Sequence, residues 1–461
     1  MPEQLDIPSV RTSDASRSSR DALYLLILGT AIFLLFGFFL QYSASDSRED
    51  FRAVVYGSRC LLHNCDPYNH DELFKFYERE FGAQAAVHFR SHSLTQYVNL
   101  PATILVTVPF AWLPFTISSL LWTIVTAVSL ILGSFLIWSL SSLQAPVLSA
   151  ALIAISLTSG AVVLGNGNPA GIVIAFCLIA VWCFHKDRFA LAGVLCLSVS
   201  LSLKPHDAGL VWLFFLLAGG RLRTRALQTL VISALLGVAA VVWVSKTAPN
   251  WFPELRINMA AMADRGGNND PGPAGPTSRN GAVETIVNLQ SAIALIQDKP
   301  SFYNTITFLI CGFLLLIWAV SVFLSPRTSE FTWLALAAVA PLTMLVTYHR
   351  AYDTRLLMLS VPACAILAAE KGTLGRVAIF VTTLGLFFTG ELPNALLRAL
   401  TYRIQIPEAW GARMAMLFLT RPAPLVLLLM ACFFVWVILS RSFNRRQQLL
   451  VVSHIPSAPS I

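Results

Sequence analysis

Long apolar runs separated by shorter polar stretches dominate the chain. They lie near 21–41, 98–113, 116–139, 147–164, 169–184, 189–203, 207–219, 226–245, 302–324, 331–347, 354–369, 377–390 and 422–440. The runs are continuous rather than alternating, which predicts helices and not half-buried strands. Open sheets cannot sit in hydrocarbon, whereas a helix satisfies its own backbone. A lone spanning helix needs about 20 mostly apolar residues, and a helix inside a bundle fewer. The pattern therefore predicts an all-α polytopic membrane protein. A polar stretch with Arg11, Arg17 and Arg20 precedes the first run. That run is too long for a signal-peptide core, and no small-residue cleavage site follows, so it reads as a retained first helix.

Composition agrees with the pattern. Of 461 residues, 56% are apolar and 12% charged, and the mean hydropathy is +0.68. Soluble domains carry about 25% charged residues. An ordinary soluble enzyme and a disordered chain are both excluded. Length alone would suggest about three soluble domains; the apolar content replaces them with one membrane domain over 21–440, flanked by tails 1–20 and 441–461. The net charge of +8 is explained by cytoplasmic loops, so it does not point to nucleic acid. Arg221, Arg223 and Arg225 form the sharpest basic cluster, and Arg327, Lys371 with Arg376, and Arg441, Arg445 and Arg446 mark further cytoplasmic turns. Alternation from these turns puts 246–301, 348–353 and 391–421 outside and both termini inside.

Thirteen runs cannot place both termini on one side. Either 189–219 is one pass broken at Lys204-Pro205-His206-Asp207, where proline interrupts the helical ladder, or a segment within 98–164 is re-entrant. The second option keeps Lys186 and Arg188 inside. Both give about 12 crossings.

Three polar segments fall outside: 42–97, 246–301 with its Gly/Pro-rich stretch Arg265–Gly281, and 391–421. In the first, Leu73, Phe74, Phe76, Tyr77 and Phe81 recur at helical spacing. This predicts an amphipathic helix, either on the membrane surface or packed on top of the bundle. Six cysteines lie in apolar runs, where a free thiol acts as a small hydrophobe. Cys60 and Cys65 sit together in the first external loop and would close a small disulfide ring in an oxidising compartment. No metal-ligand motif is present in the sequence.

Three constellations carry candidate chemistry. The first loop holds Asp46, Arg48, Glu49, Asp50, Phe51 and Arg52, then Tyr56 and Asp66-Pro67-Tyr68. A carboxylate at reduced water exposure there can act as a general base. His349-Arg350-Ala351-Tyr352-Asp353, followed by Arg355, joins two apolar runs. Ionisable groups near hydrocarbon are costly and usually functional; arginine suits phosphate through its fork of donors, and histidine moves protons near neutral pH. Lys204 with His206 and Asp207 implies an anionic partner, either Asp207 or a ligand phosphate. Gly165-Asn166-Gly167-Asn168-Pro169-Ala170-Gly171 superficially matches a dinucleotide fingerprint. That motif needs a preceding strand and a βαβ unit, so a polar helix hairpin is the better reading. Arg398, Arg403, Arg413 and Arg421 exceed Glu391 and Glu408 in the third external segment and would meet lipid phosphates.

Several fragments together resemble glycosyltransferase family 87. Asp50-Phe51, Tyr56 and Asp66-Pro67-Tyr68 are similar to the family's first-loop opening. So are Tyr97-Val98-Asn99-Leu100-Pro101, then Pro109 to Pro114 and Trp122, with its proline-rich stretch; Gly165 to Asn168 with its G-Q-x-N; Ala192-Gly193 to Lys204-Pro205; Asn288-Leu289-Gln290-Ser291; and His349 to Tyr352-Asp353. The order matches from about 45 to 360. Val55, Asn99 and Asn166 depart from the pattern, and Cys60 and Cys65 flank a place where the family favours glycine.

The resemblance implies a GT-C-like helical bundle with short amphipathic helices on an external loop, set in the plasma (inner) membrane. It implies an inverting, metal-independent transfer of mannose or a related sugar from a polyprenyl phosphate to a lipid or envelope glycan, with membrane lipids around it and no cofactor. Asp50 corresponds to the catalytic base, and His349 to an assisting base or phosphate partner. Lys204, Arg350 and Arg355 would hold the donor phosphate. Tyr56, Asp66, Tyr68, Asn288, Tyr352 and Asp353 would line the substrate site. The competing reading is a transporter or flippase for a lipid or anionic solute. Transporters place ionisable groups in paired broken helices at the midplane, whereas here the acids cluster toward one face.

Overall fold

Among the described residues, eight helices are long and apolar enough to cross a membrane: Ser18–Ser43, Phe115–Ser141, Pro146–Asn166, Gly220–Thr247, Pro300–Leu324, Ser329–Val346, Ala351–Ala369 and Pro422–Phe443. The computed structural model describes residues 10–43, 48–275, 285–325, 328–401 and 409–453. Asp46, Arg327, Arg403 and Glu408 lie outside the described residues, as does part of the Gly/Pro-rich stretch. Among the described residues the regular structure is helical, apart from one isolated antiparallel bridge between Ile286 and Arg350.

The remaining apolar runs form shorter helices, Pro101–Ala111, Ala170–His185, Ala190–Leu203, Pro205–Ala218 and Gly411–Thr420, while Thr373–Phe388 and Glu391–Leu400 form a pair bent by 66°. Each of the shorter helices falls below the length for a lone span, so the long helices alone do not reach the expected twelve. Burial follows position in the bundle. The window in Ser329–Val346 is 72% buried, and that in Gly220–Thr247 only 17%. The latter presents Leu230, Val231, Leu235 and Val238 outward. A contiguous apolar surface of this kind is stable against hydrocarbon and not against water.

Helix direction follows from end contacts. Ala170–His185 starts at Asn168 and ends beside Asp187; Ala190–Leu203 returns to Lys204; Pro205–Ala218 leads back to Arg221, whose Nη1 lies 2.6 Å from Asp187 Oδ2. Arg225 pairs with the same aspartate. The segment 189–219 therefore begins and ends at one end of the bundle. It is a hairpin with Lys204 at its apex, which corrects the expectation of a single broken pass. Proline at the first position of a helix needs no amide hydrogen, so Lys204-Pro205 starts a new helix instead of kinking an old one. Pro101–Ala111 packs along Glu49–Leu62 through Ser58 Oγ and Thr107 Oγ1 at 2.7 Å and Arg59 Nε to the Ala111 carbonyl at 3.0 Å.

The first polar segment folds onto the bundle. Asn69 caps the helix His70–Phe81 by accepting from the Asp71 and Glu72 amides. Its apolar face is covered, with Leu73, Phe76 and Tyr77 buried. Tyr77 meets Tyr56 at 5.6 Å and Phe89 at 5.0 Å between ring centroids. This helix packs on protein, with Phe81 at its end left exposed. Cys60 and Cys65 are bonded, with Cα atoms 4.7 Å apart, at the end of Glu49–Leu62. Arg421 is also inside: it is buried, and its Nε donates to the Ser291 carbonyl at 3.2 Å. That corrects its expected place among surface arginines facing lipid phosphates.

Candidate active site

The hairpin apex delivers Lys204 to the same end of the bundle as the segment 347–353. Lys204 Nζ lies 2.6 Å from Asp353 Oδ1 and 3.2 Å from Asp207 Oδ2. It also sits 5.6 Å from the centroid of the Tyr352 ring, a favourable cation–π placement. Asp207 is one turn beyond Lys204, so the helix start fixes their pairing. Its other oxygen lies 2.9 Å from His349 Nε2, and both side chains are fully buried. The Thr347 carbonyl holds His349 Nδ1 at 3.0 Å. The His206 ring stands edge-on to His349, with centroids 5.2 Å apart.

Arg350 ties this group to the loops above. Its amide donates to Asp353 Oδ2 at 2.8 Å, its Nη2 to the Asn268 carbonyl at 2.9 Å, and its Nε to the Tyr348 hydroxyl. The Val287 amide donates to the His349 carbonyl at 2.9 Å, pinning the strand-like pair that holds the segment. Burial alone would lower the Arg350 pKa. Tyr348, Tyr352 and the Asp50 carboxylate outweigh burial and hold it above its ordinary value. Asp50, at the start of Glu49–Leu62, is thus near enough for its charge to act on Arg350. Asn168 Nδ2 donates to Asp50 Oδ2 at 2.9 Å.

The structure therefore brings Asp50, Lys204, His349, Arg350, Tyr352 and Asp353 into one cluster. Asp207 joins it as the anionic partner expected for Lys204, and Tyr348 and Asn168, which sequence reasoning had not given site roles, are added. A signal for Asn168 was present in the Gly/Asn-rich loop, but only the fold shows what that loop faces. Among the described residues, two groups bring ligand atoms within 4.8 Å of one another and have the composition to hold a metal ion: His206, Asp207 and His349, and Glu49, His88 and His92.

Other expected site residues serve the framework. Arg355 is buried, and its guanidinium donates to the Ser156 carbonyl at 2.5 Å, the Thr354 hydroxyl at 2.8 Å and the Ala351 and Thr389 carbonyls at 3.3 Å. Its terminal nitrogens are turned to protein oxygens, not to a phosphate. Tyr56 is packed among Phe76, Tyr77, Phe81 and Phe115, with Arg59 over its ring at 4.6 Å. The Tyr68 hydroxyl donates to the Asn99 carbonyl at 3.0 Å. Asn288 caps the helix Leu289–Ile296 by accepting from the Ser291 amide. Asp66 accepts from the Tyr68 amide at 2.8 Å, closing a turn. Burial raises its pKa to about 6; the Tyr68 amide opposes that rise and the Glu254 carboxylate adds to it.

A family model described as glycosyltransferase family 87 matches residues 97–347. No curated protein and no solved structure matches the chain.

Proposed function

The chain belongs to glycosyltransferase family 87, and from that premise we propose that it moves a sugar from a polyprenyl phosphate to a lipid or envelope-glycan hydroxyl. A membrane glycosyltransferase needs a base for the acceptor and cations for the departing phosphate. One observation carries the reading: Asp50, Lys204 and the segment His349–Asp353, far apart in sequence, converge on one polar space at one end of the bundle.

Asp50 accepts the proton of the acceptor hydroxyl as its oxygen bonds to the anomeric carbon. The bond from that carbon to the phosphate oxygen breaks, and polyprenyl phosphate leaves with the electron pair. Direct displacement inverts the anomeric centre through an oxocarbenium-like state. Lys204 and Arg350 stabilise the charge that develops on the phosphate, as preorganised donors do in a water-poor site. His349 assists beside Asp207 as a proton or phosphate partner. A phosphate is a good leaving group, so the reaction has no requirement for an essential metal. Arg355 is left to bracing, because both of its terminal nitrogens are already committed.

We place this end of the bundle on the extracytoplasmic side of the plasma membrane, with both termini opposite. The Arg221, Arg225 and Arg441 end is the more basic, as cytoplasmic ends are. Pro101–Ala111 then dips without crossing, and the hairpin at Lys204 contributes two passes. Twelve passes result, and Lys186 and Arg188 fall on the cytoplasmic side. A donor on a lipid carrier suits a site on this side, away from cytosolic nucleotide sugars.

The test is transfer by purified protein in detergent, with radiolabelled polyprenyl-phosphate mannose and a crude membrane lipid extract. Label should reach a new product with wild type and not with Asp50→Asn. Equal transfer by both removes Asp50 from its role. A folded protein that does not bind the donor at all overturns the donor class.

A further inference from the structure

We infer that Asn168, in the loop Gly165–Asn168, is a positioning residue that aims the Asp50 carboxylate at the acceptor. The inference rests on the reading of Asp50 as the base. Two hydrogen bonds, a close approach and a bridge through Trp122 join this loop to the segment Arg48–Phe51. The Arg48 amide donates to the Gly165 carbonyl at 2.8 Å. Asn168 Nδ2 donates to Asp50 Oδ2 at 2.9 Å. Phe51 stacks on Trp122 with centroids 5.1 Å apart, and Trp122 Nε1 donates to the Gly167 carbonyl at 2.9 Å. A Cβ on Gly167 would lie 2.7 Å from the Phe51 Cβ, and Gly167 has φ +65°. Only glycine gives both the left-handed backbone and the close approach.

The orientation of the Asn168 amide is set by its other partner. Asn168 Oδ1 accepts from the Ala170 amide at 2.8 Å. A backbone N–H can only donate, so the oxygen must face Ala170 and the NH2 group must face Asp50. Asn168 is therefore a donor fixed at both ends: by the start of the helix Ala170–His185 on one side and by the carboxylate on the other. The bond ties Oδ2 and leaves Oδ1 as the carboxylate oxygen for the acceptor proton. Asp50 lies on a short helix outside the bundle proper, and this loop anchors it to the transmembrane core. The loop that resembles a nucleotide fingerprint acts on a carboxylate instead.

The experiment uses the full chain in detergent with polyprenyl-phosphate mannose and a crude lipid extract. Wild type, Asn168→Ala, Asn168→Asp and Asp50→Asn are compared, with thermal midpoints reporting folding. Displacing a reacting group by about 1 Å can cost about 100-fold in rate, so Asn168→Ala should lower kcat about 10- to 100-fold with the donor KM within about two-fold. Asn168→Asp puts a like charge beside Asp50, and the acidic limb of its kcat profile should move to higher pH by about one unit or more. A purely structural role would lower folding without moving that limb. Unchanged kcat in Asn168→Ala, or an unmoved limb in a folded and active Asn168→Asp, overturns the inference while Asp50→Asn remains inactive. Full activity in Asp50→Asn overturns the reading beneath it instead.

Discussion

Lys204 Nζ lies 2.6 Å from Asp353 Oδ1, a bond between residues 149 positions apart that joins the hairpin apex to the segment carrying His349. The same ammonium neutralises Asp207 at 3.2 Å. Two buried carboxylates share one cation, so removing the cation alone leaves two buried charges without it.

Lys204→Met should therefore destabilise strongly. Breaking a buried pair by removing one partner costs about 3–5 kcal/mol. Thermal unfolding in detergent should show a large drop in midpoint, and the double variant Lys204→Met/Asp353→Asn should recover part of it. A single variant as stable as wild type would show that the pair contributes little.

Arg355 gives the contrasting case. Its donors meet carbonyls of three separate segments. Arg355→Met should cost about 3 kcal/mol through the carbonyls left unpaired, yet leave the donor KM of the remaining folded enzyme within about two-fold. A rise in KM of ten-fold or more would return Arg355 to the phosphate site.

Asp66 predicts a pH dependence. Its folded pKa is about 6, above the ordinary value of about 3.9. The folded state then holds the proton more tightly than the unfolded one. Stability is greatest below the unfolded pKa, falls as pH rises from about 4 to about 6, and is flat above that as far as this group is concerned. Asp66→Asn keeps an oxygen for the Tyr68 amide and removes the charge. It should gain about 2 kcal/mol over wild type at pH 8 and nothing at pH 4. Parallel melting curves across this range would refute the assignment.

The Cys60–Cys65 bond closes a short ring at the end of the helix that begins with Asp50. Entropy of a ring this small accounts for about 2 kcal/mol. A reductant, or the pair Cys60→Ser/Cys65→Ser, should lower the melting midpoint modestly without abolishing transfer. No shift in midpoint would mean that helix packing alone fixes this end.

The sequence by itself determined that the chain is a helical membrane protein, because continuous apolar runs and scarce charge admit no other solution in lipid. It also marked the His349–Asp353 segment, the Lys204 break and the Asp50 loop as costly polar features, and of these the Lys204 break lies within the family match over 97–347. It did not determine whether Lys204 interrupts one pass or turns a hairpin, because a proline start reads the same in both. The salt bridges of Arg221 and Arg225 to Asp187 decided that. Nor did it separate Lys204 and Arg350, which face the cluster, from Arg355, which faces carbonyls; all three are basic residues beside apolar runs. Local pattern specifies which segments leave water, since burial follows each residue's own chemistry. Which polar groups then meet is a matter of partners distant in sequence, and only the packed bundle brings those together.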